Sequence, residues 1–250
     1  MININIYQDR PSTSLNISHL VNYFESLNFN VSIRESISEL MNEIPQFEFS
    51  NYLDSIKIRN IESPLDKRTV PGEVVNSNVD PANVRENFYD GYWLQRKLHS
   101  GLSEKYPDDL SNDVLNIVIT GRLFGTFGTR RYHARVLLTG EPCLLSTSGI
   151  VEAPARPKEY YFAKAKLLAE GMTLNELDKL FEGRFIEYDS AKITDITCSY
   201  ILQLIRYRYT GEPFCKSDKC CLYNSHWQEE VLELQYNIKV CDECSDILKI

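Results

Sequence analysis

Three observations in the 250-residue sequence predict a mixed α/β protein with a metal-stabilised carboxyl-terminal segment. Ile2, Ile4 and Ile6 alternate with polar residues and lead into an apolar stripe at helical spacing, the start of a β-α-β-α run. Residues 114–120 are almost continuously apolar, as a strand covered on both faces must be. Cys215, Cys220, Cys241 and Cys244 pair as C-x4-C and C-x2-C, with twenty residues between the pairs.

The first strand is followed by a helix with the stripe Leu15, Leu20, Tyr23, Phe24 and Leu27, because residues three and four apart share a helix face. A short strand over 30–33 and a helix over 36–44 complete the opening. Residues 45–82 contain Pro45, Pro64, Pro71 and Pro81 and no sustained period, so they read as an irregular insertion. A helix is expected over about 83–102 on Val84, Phe88, Tyr92, Trp93, Leu94 and Leu98, ending near Gly101. Residues 132–138 and 143–146 read as strands beside 114–120, joined by the turn Thr139-Gly140-Glu141-Pro142.

Beyond Pro154 and Pro157 the signals are helical. A Thr173-x-x-Glu176 capping box opens a helix that Gly183 closes. A long helix over 190–209 is expected to bury Ile193, Ile196, Tyr200, Ile201, Leu204 and Tyr207 or Arg208 and to stop at Gly211 and Pro213. Ser225 with Gln228 then caps a helix over 225–236 that holds Trp227, Val231 and Leu234. The expected organisation is one domain over 1–250, with a β/α part to 110, central strands and helices over 111–210, and a four-cysteine segment over 211–250.

Composition narrows the function classes. Hydrophobic residues make up 43% and aromatics 11% of the chain, ample for a packed core. No apolar run approaches the roughly 20 residues that cross a bilayer, and the opening MININIYQDR lacks a secretory layout, so the expectation is a cytoplasmic protein with no membrane partner. A net charge of -8 opposes nucleic acid, whose binding depends on cations that displace counterions. Acids also outnumber bases from Gln203 onward, against a zinc ribbon that grips nucleic acid. One stretch has the other sign: Arg122, Arg130, Arg131, Arg135, Arg156, Lys158, Lys164 and Lys166 face only Glu141, Glu152 and Glu159 in sequence. It is either a solvated face or a place for an acidic peptide or carboxylate terminus, from an unknown protein or peptide partner.

Four thiols at the observed spacing read as a tetrahedral zinc site with every position filled by sulfur. Such a site holds structure together and leaves no place for water or substrate. The expectation is one structural zinc per chain, with Cys143, Cys198 and Cys221 as free thiols.

The long helix, Gly211 and the cysteine pair directly after it resemble the archaemetzincins, zinc peptidases in which an HExxHxxGxxH run is followed by a four-cysteine zinc site of nearly this spacing. Gly211 stands where the family's glycine stands, and Cys215 follows the position of the third histidine. In that register the resemblance assigns the zinc-ligand positions to Leu204, Arg208 and Phe214 and the general-base position to Ile205. Leucine, isoleucine and phenylalanine offer no donor atom, and arginine stays protonated. The family's methionine appears as Leu222. The stretches RYHARV, STSGIVEAPARPKEYY and CCLYNSHWQEEV also resemble an archaeal group described as metallopeptidases. The resemblance thus implies a metzincin-like fold with a degenerate catalytic motif and a retained structural zinc.

The histidines are His19, His99, His133 and His226, and no two stand four apart on one helix face. His226 has Glu229 three residues on, at a spacing that either starts a solvated helix or binds a metal. Arg131, His133 and Arg135 share one face of a strand, pointing to solvent or to an anion. These residues leave three readings: a metallopeptidase-like protein without catalytic zinc that works as a binding or regulatory module, an active peptidase with displaced ligands such as His133, His226 and Glu229, and a zinc ribbon with a protein or nucleic-acid partner.

Overall fold

The computed structural model describes residues 2–44, 48–65, 87–169 and 174–250. In chain order the first elements are β1 (Asn3–Asp9), α1 (Ile17–Ser26), β2 (Asn30–Ser36), α2 (Ile37–Asn42), α3 (Phe49–Ser55), β3 (Phe88–Asp90) and α4 (Gly91–Lys105). The middle holds β4 (Val114–Thr120), β5 (Leu123–Phe127), β6 (Tyr132–Arg135), β7 (Leu137–Leu138), β8 (Cys143–Ser146) and α5 (Thr147–Glu152). Last come α6 (Lys158–Ala169), α7 (Leu174–Leu180), α8 (Ile193–Thr210), α9 (Gln228–Glu230), which runs into a π turn over Val231–Gln235, and α10 (Asp242–Leu248).

The chain divides into two compact units, and they interleave in sequence. The first takes the chain through Pro11 and Phe29–Gly149; the second takes Ser12–Asn28 and Ile150–Ile250. The first unit is built on a five-stranded sheet of order β2-β1-β4-β8-β7, parallel except for β7, and a three-stranded sheet of order β3-β5-β6. β1 lies between β2 and β4 with both edges paired, and successive residues on both of its faces are covered: Ile4, Ile6 and Tyr7 are fully buried and Asn5 almost so. The polar alternation in β1 therefore marks a buried polar contact, not a wet face. Asn5 donates to Asn116 at 3.1 Å, and Asn116 donates on to the Asp109 carbonyl and Glu141. The core against this sheet includes Tyr7, Leu40, Met41, Leu98, Val118 and Leu144.

Several expected elements change in the structure. Within the stretch read as an irregular insertion, α3 forms on Phe49 and Leu53, which are buried in that core; residues 45–47 and 66–82 lie outside the described residues. The helix expected over 83–102 starts later, at Gly91, because Phe88–Asp90 pair with Leu123–Gly125 and Asp90 caps α4 by accepting from the Trp93 N–H. Residues 83–86 lie outside the described residues. The strand expected over 132–138 breaks at Val136, whose carbonyl accepts from the Ser146 N–H, and its halves join different sheets as β6 and β7. Leu123–Phe127, not singled out from sequence, becomes the centre of the second sheet.

At the carboxyl ends of β1 and β4 an ion pair is sealed into the first unit. Arg122 donates to both carboxylate oxygens of Asp9, at 2.7 and 3.2 Å, and Thr120 donates to the same carboxylate at 2.9 Å. The Asp9 side chain is 2% exposed and that of Arg122 15%. Gly121 is required beside it: a Cβ there would stand 2.0 Å from the Arg10 carbonyl oxygen. Arg122 is thus withdrawn from the basic stretch read as one face. In the second unit Arg156 is likewise engaged, donating to Asp178 at 2.5 Å and lying over the rings of Tyr160 and Phe185.

In the second unit α1 and α10 pack on α8, most of which is buried. Asn16 caps α1 by accepting from the His19 N–H, and its own N–H donates to Thr194 on α8. α6 and α7 form a separate aromatic cluster of Tyr160, Leu177, Phe181 and Phe185; the capping residue Thr173 lies outside the described residues. Removing one member of a buried ion pair strands the other, at a cost of about 3–5 kcal/mol. Asp9→Ala should therefore lower the free energy of unfolding of the first unit by about that amount in urea melts, and a change below about 1 kcal/mol would show that Arg122 is not buried in this way.

Candidate metal centre

The site is organised by α8 and by the segment directly after it. Buried Ile193, Ile196, Ile201, Leu204 and Ile205 explain why residues 193–210 form a helix that turns its apolar sides inward. Gly211 ends it at φ 78°, in the left-handed region that favours glycine, and its N–H donates to the Tyr207 carbonyl at 2.7 Å. Four residues later the chain reaches Cys215.

The first cysteine pair is held by backbone bonds. The Cys215 N–H donates to Leu222 O and the Tyr223 N–H to Cys220 O, each at 2.9 Å, while the Ser217 N–H points at the Cys215 sulfur at 3.3 Å. The second pair comes from α10: Cys241 is its N-cap residue and Cys244 sits one turn on, where both sulfurs can face the same way. The Cys221 N–H donates to Lys239 O at 2.8 Å and so ties the two halves together. The result brings all four sulfurs within 4.8 Å of one another, with Cys215 Sγ and Cys241 Sγ 3.7 Å apart. A tetrahedron with zinc–sulfur bonds of about 2.3 Å has edges of about 3.8 Å, so these residues fit a zinc ion. Among the described residues this is the one group of three or more His, Cys, Asp and Glu side chains gathered at metal-binding distance.

Burial pushes the Cys215 and Cys244 thiols up, and Cys220 is pulled down chiefly because its sulfur accepts from the Cys221 thiol. A divalent ion would offset that burial and let all four sulfurs ionise. Cys143 and Cys198 are buried elsewhere, and burial pushes Cys198 up to about 12.

The remaining expected site residues lie outside the sulfur cluster. Leu204 and Ile205 are fully buried on α8, Arg208 and Phe214 are half-buried, and Leu222 is fully buried. On the first unit Arg131 and His133 are exposed, as is Arg135; His133 pairs with Thr126 across the β5–β6 ladder, and Arg135 donates to the Thr126 hydroxyl at 2.9 Å. His226 and Glu229 belong to the second unit, where Glu229 is exposed and accepts from Arg184 at 2.7 Å. The expected Ser225–Gln228 capping box is replaced. Glu230 accepts the backbone N–H groups of His226 and Trp227, while Gln228 is buried and donates to the Ile150 and Val151 carbonyls. The glutamate lies three residues from Trp227 and supplies only the returning half of a capping box, since an indole has no acceptor to offer.

Fold and site together define a mixed α/β protein with a four-cysteine site that fits a metal ion. All of residues 1–250 match the "Probable metallopeptidase family (DUF6775)", and the chain belongs to that family. Among solved structures, a zinc-dependent peptidase from Methanocorpusculum labreanum aligns over 98% of this chain and 99% of its own, with 12% identity and a TM-score of 0.50, a shared fold. Archaemetzincin from Methanopyrus kandleri aligns over 99% of this chain and 93% of its own, with 11% identity and a TM-score of 0.47. No curated protein matches the sequence.

The geometry predicts two outcomes. Cys241→Ser should release zinc, and hydrogen exchange should show residues 228–248 opening before the rest; a variant that keeps its metal and its thermal midpoint contradicts the site. Zinc must displace protons from the Cys215 and Cys244 thiols that burial pushes up, so the rise in thermal midpoint on adding zinc should grow between about pH 6 and pH 8. A midpoint shift independent of pH would contradict thiolate ligation.

Proposed function

We propose that this member of a metallopeptidase family keeps one structural zinc on Cys215, Cys220, Cys241 and Cys244 and acts as a non-catalytic binding or regulatory module. The carrying observation is α8 itself. In the register fixed by the left-handed Gly211 and by Cys215, the positions of the first zinc ligand and of the general base are Leu204 and Ile205, and both are packed into the interior with no donor atom. Catalytic zinc needs nitrogen or oxygen ligands and an open place for a water to be acidified. Arg208, at the second ligand position, carries a guanidinium, which has no lone pair for a metal and repels a divalent ion.

The sulfur site, in contrast, supports a holding role. Structural zinc contributes about 10–16 kcal/mol in small peptides, as much as the whole stability of a typical domain. The strand face of Arg131, His133 and Arg135 is the candidate surface for an acidic peptide or other anion. An active enzyme using His133, His226 and Glu229 is the competing reading, and Glu229 is already engaged by Arg184.

Native mass spectrometry together with a peptidase assay decides between them. One zinc per chain, held through mild chelation, with no cleavage of a denatured-protein substrate is the expected result. A second, chelator-sensitive zinc whose removal abolishes cleavage would overturn the proposal.

A further inference from the structure

Two buried glutamines converge on the first cysteine knuckle. Gln203 on α8 and Gln235 at the end of the π turn are both 0% exposed. The Gln235 amide Nε2 donates to the carbonyls of Cys221 and Tyr223 at 2.9 Å each, and Gln203 Nε2 reaches the same two carbonyls at 3.3 Å each. Between those carbonyls lies Leu222, whose own carbonyl accepts from the Cys215 N–H, while the Tyr223 N–H donates back to Cys220. The gripped segment is therefore the one that places both Cys215 and Cys220. Gln235 is itself anchored to α8, where the Ser199 hydroxyl donates to its backbone carbonyl at 2.5 Å.

These side chains are poor stabilisers on their own account. The Oε1 atoms of Gln203 and Gln235 are buried with no hydrogen-bond partner, and a buried unfilled acceptor costs stability. Gln228 shows the contrast: its Oε1 accepts from the Ile186 N–H at 3.1 Å and its Nε2 serves three backbone carbonyls, so it is filled on both sides, and none of these partners is a knuckle residue. What Gln203 and Gln235 share is the pair of carbonyls behind Cys220.

We propose that Gln203 and Gln235 are positioning residues of the zinc site, a two-amide clamp that fixes the 220–223 backbone so that the Cys215 and Cys220 sulfurs stay at ligating distance. The inference rests on the four-cysteine reading and adds that α8 holds the metal knuckle directly through its own side chain. Groups one shell out from a metal commonly alter its affinity 10- to 100-fold, because they decide how far a ligand can swing away.

The test uses the full zinc-loaded chain and the variants Gln203→Met, Gln235→Met and Gln228→Met, with zinc transfer to a chromophoric chelator followed by absorbance. Each of the first two should hand over zinc about 10- to 100-fold faster than the parent and shift the visible spectrum of the cobalt-substituted site. Their metal-free thermal midpoints should stay within a few degrees of the parent's, since each substitution also removes a buried Oε1 that has no partner. Gln228→Met should lower the midpoint and leave zinc transfer unchanged. Parental transfer rates in both Gln203→Met and Gln235→Met, or equal loosening by Gln228→Met, would overturn the clamp while leaving the zinc site standing. A parent chain that binds no zinc would overturn both.

Discussion

The constraint on which the second unit depends is the need to bring four sulfurs together in a largely buried corner, where a cation offsets the cost of ionising them. Burial raises the Cys215 and Cys244 thiols and the Cys220–Cys221 contact polarises the same corner. Only ionised sulfur ligates, so a metal bound there would couple its own affinity to the folding of residues 211–250. The backbone bonds from Cys215 to Leu222 and from Cys221 to Lys239 give that equilibrium its geometry. The glutamines of α8 and the π turn tie it to the longest helix of the unit.

That helix is also where the family's chemistry would be expected. A peptidase helix must turn donor atoms toward its metal, yet α8 presents Leu204 and Ile205 to the interior. Family membership and the shared fold establish the class to which the chain belongs.

Much of this was legible in the sequence, and for identifiable reasons. The cysteine spacing, Gly211 and the apolar run of β4 are signals in which one residue type serves one physical need, and each stands where it was expected. The failures came where pairing partners distant in sequence decide the outcome. Phe88–Asp90 look helical alone but are captured by β5, and 132–138 is divided because Val136 bonds to Ser146. Alternation in β1 carries no information about a buried partner, and Asn5 is held by Asn116. Gln203 and Gln235 gave no signal at all, since a buried amide is recognised only by the carbonyls it meets.

X-ray absorption at the zinc edge of the purified chain tests the central claim most directly. The account predicts one zinc environment of four sulfurs at about 2.3 Å with no nitrogen or oxygen ligand. A first shell containing nitrogen or oxygen at about 2.0–2.1 Å, as three-histidine sites show, would contradict it.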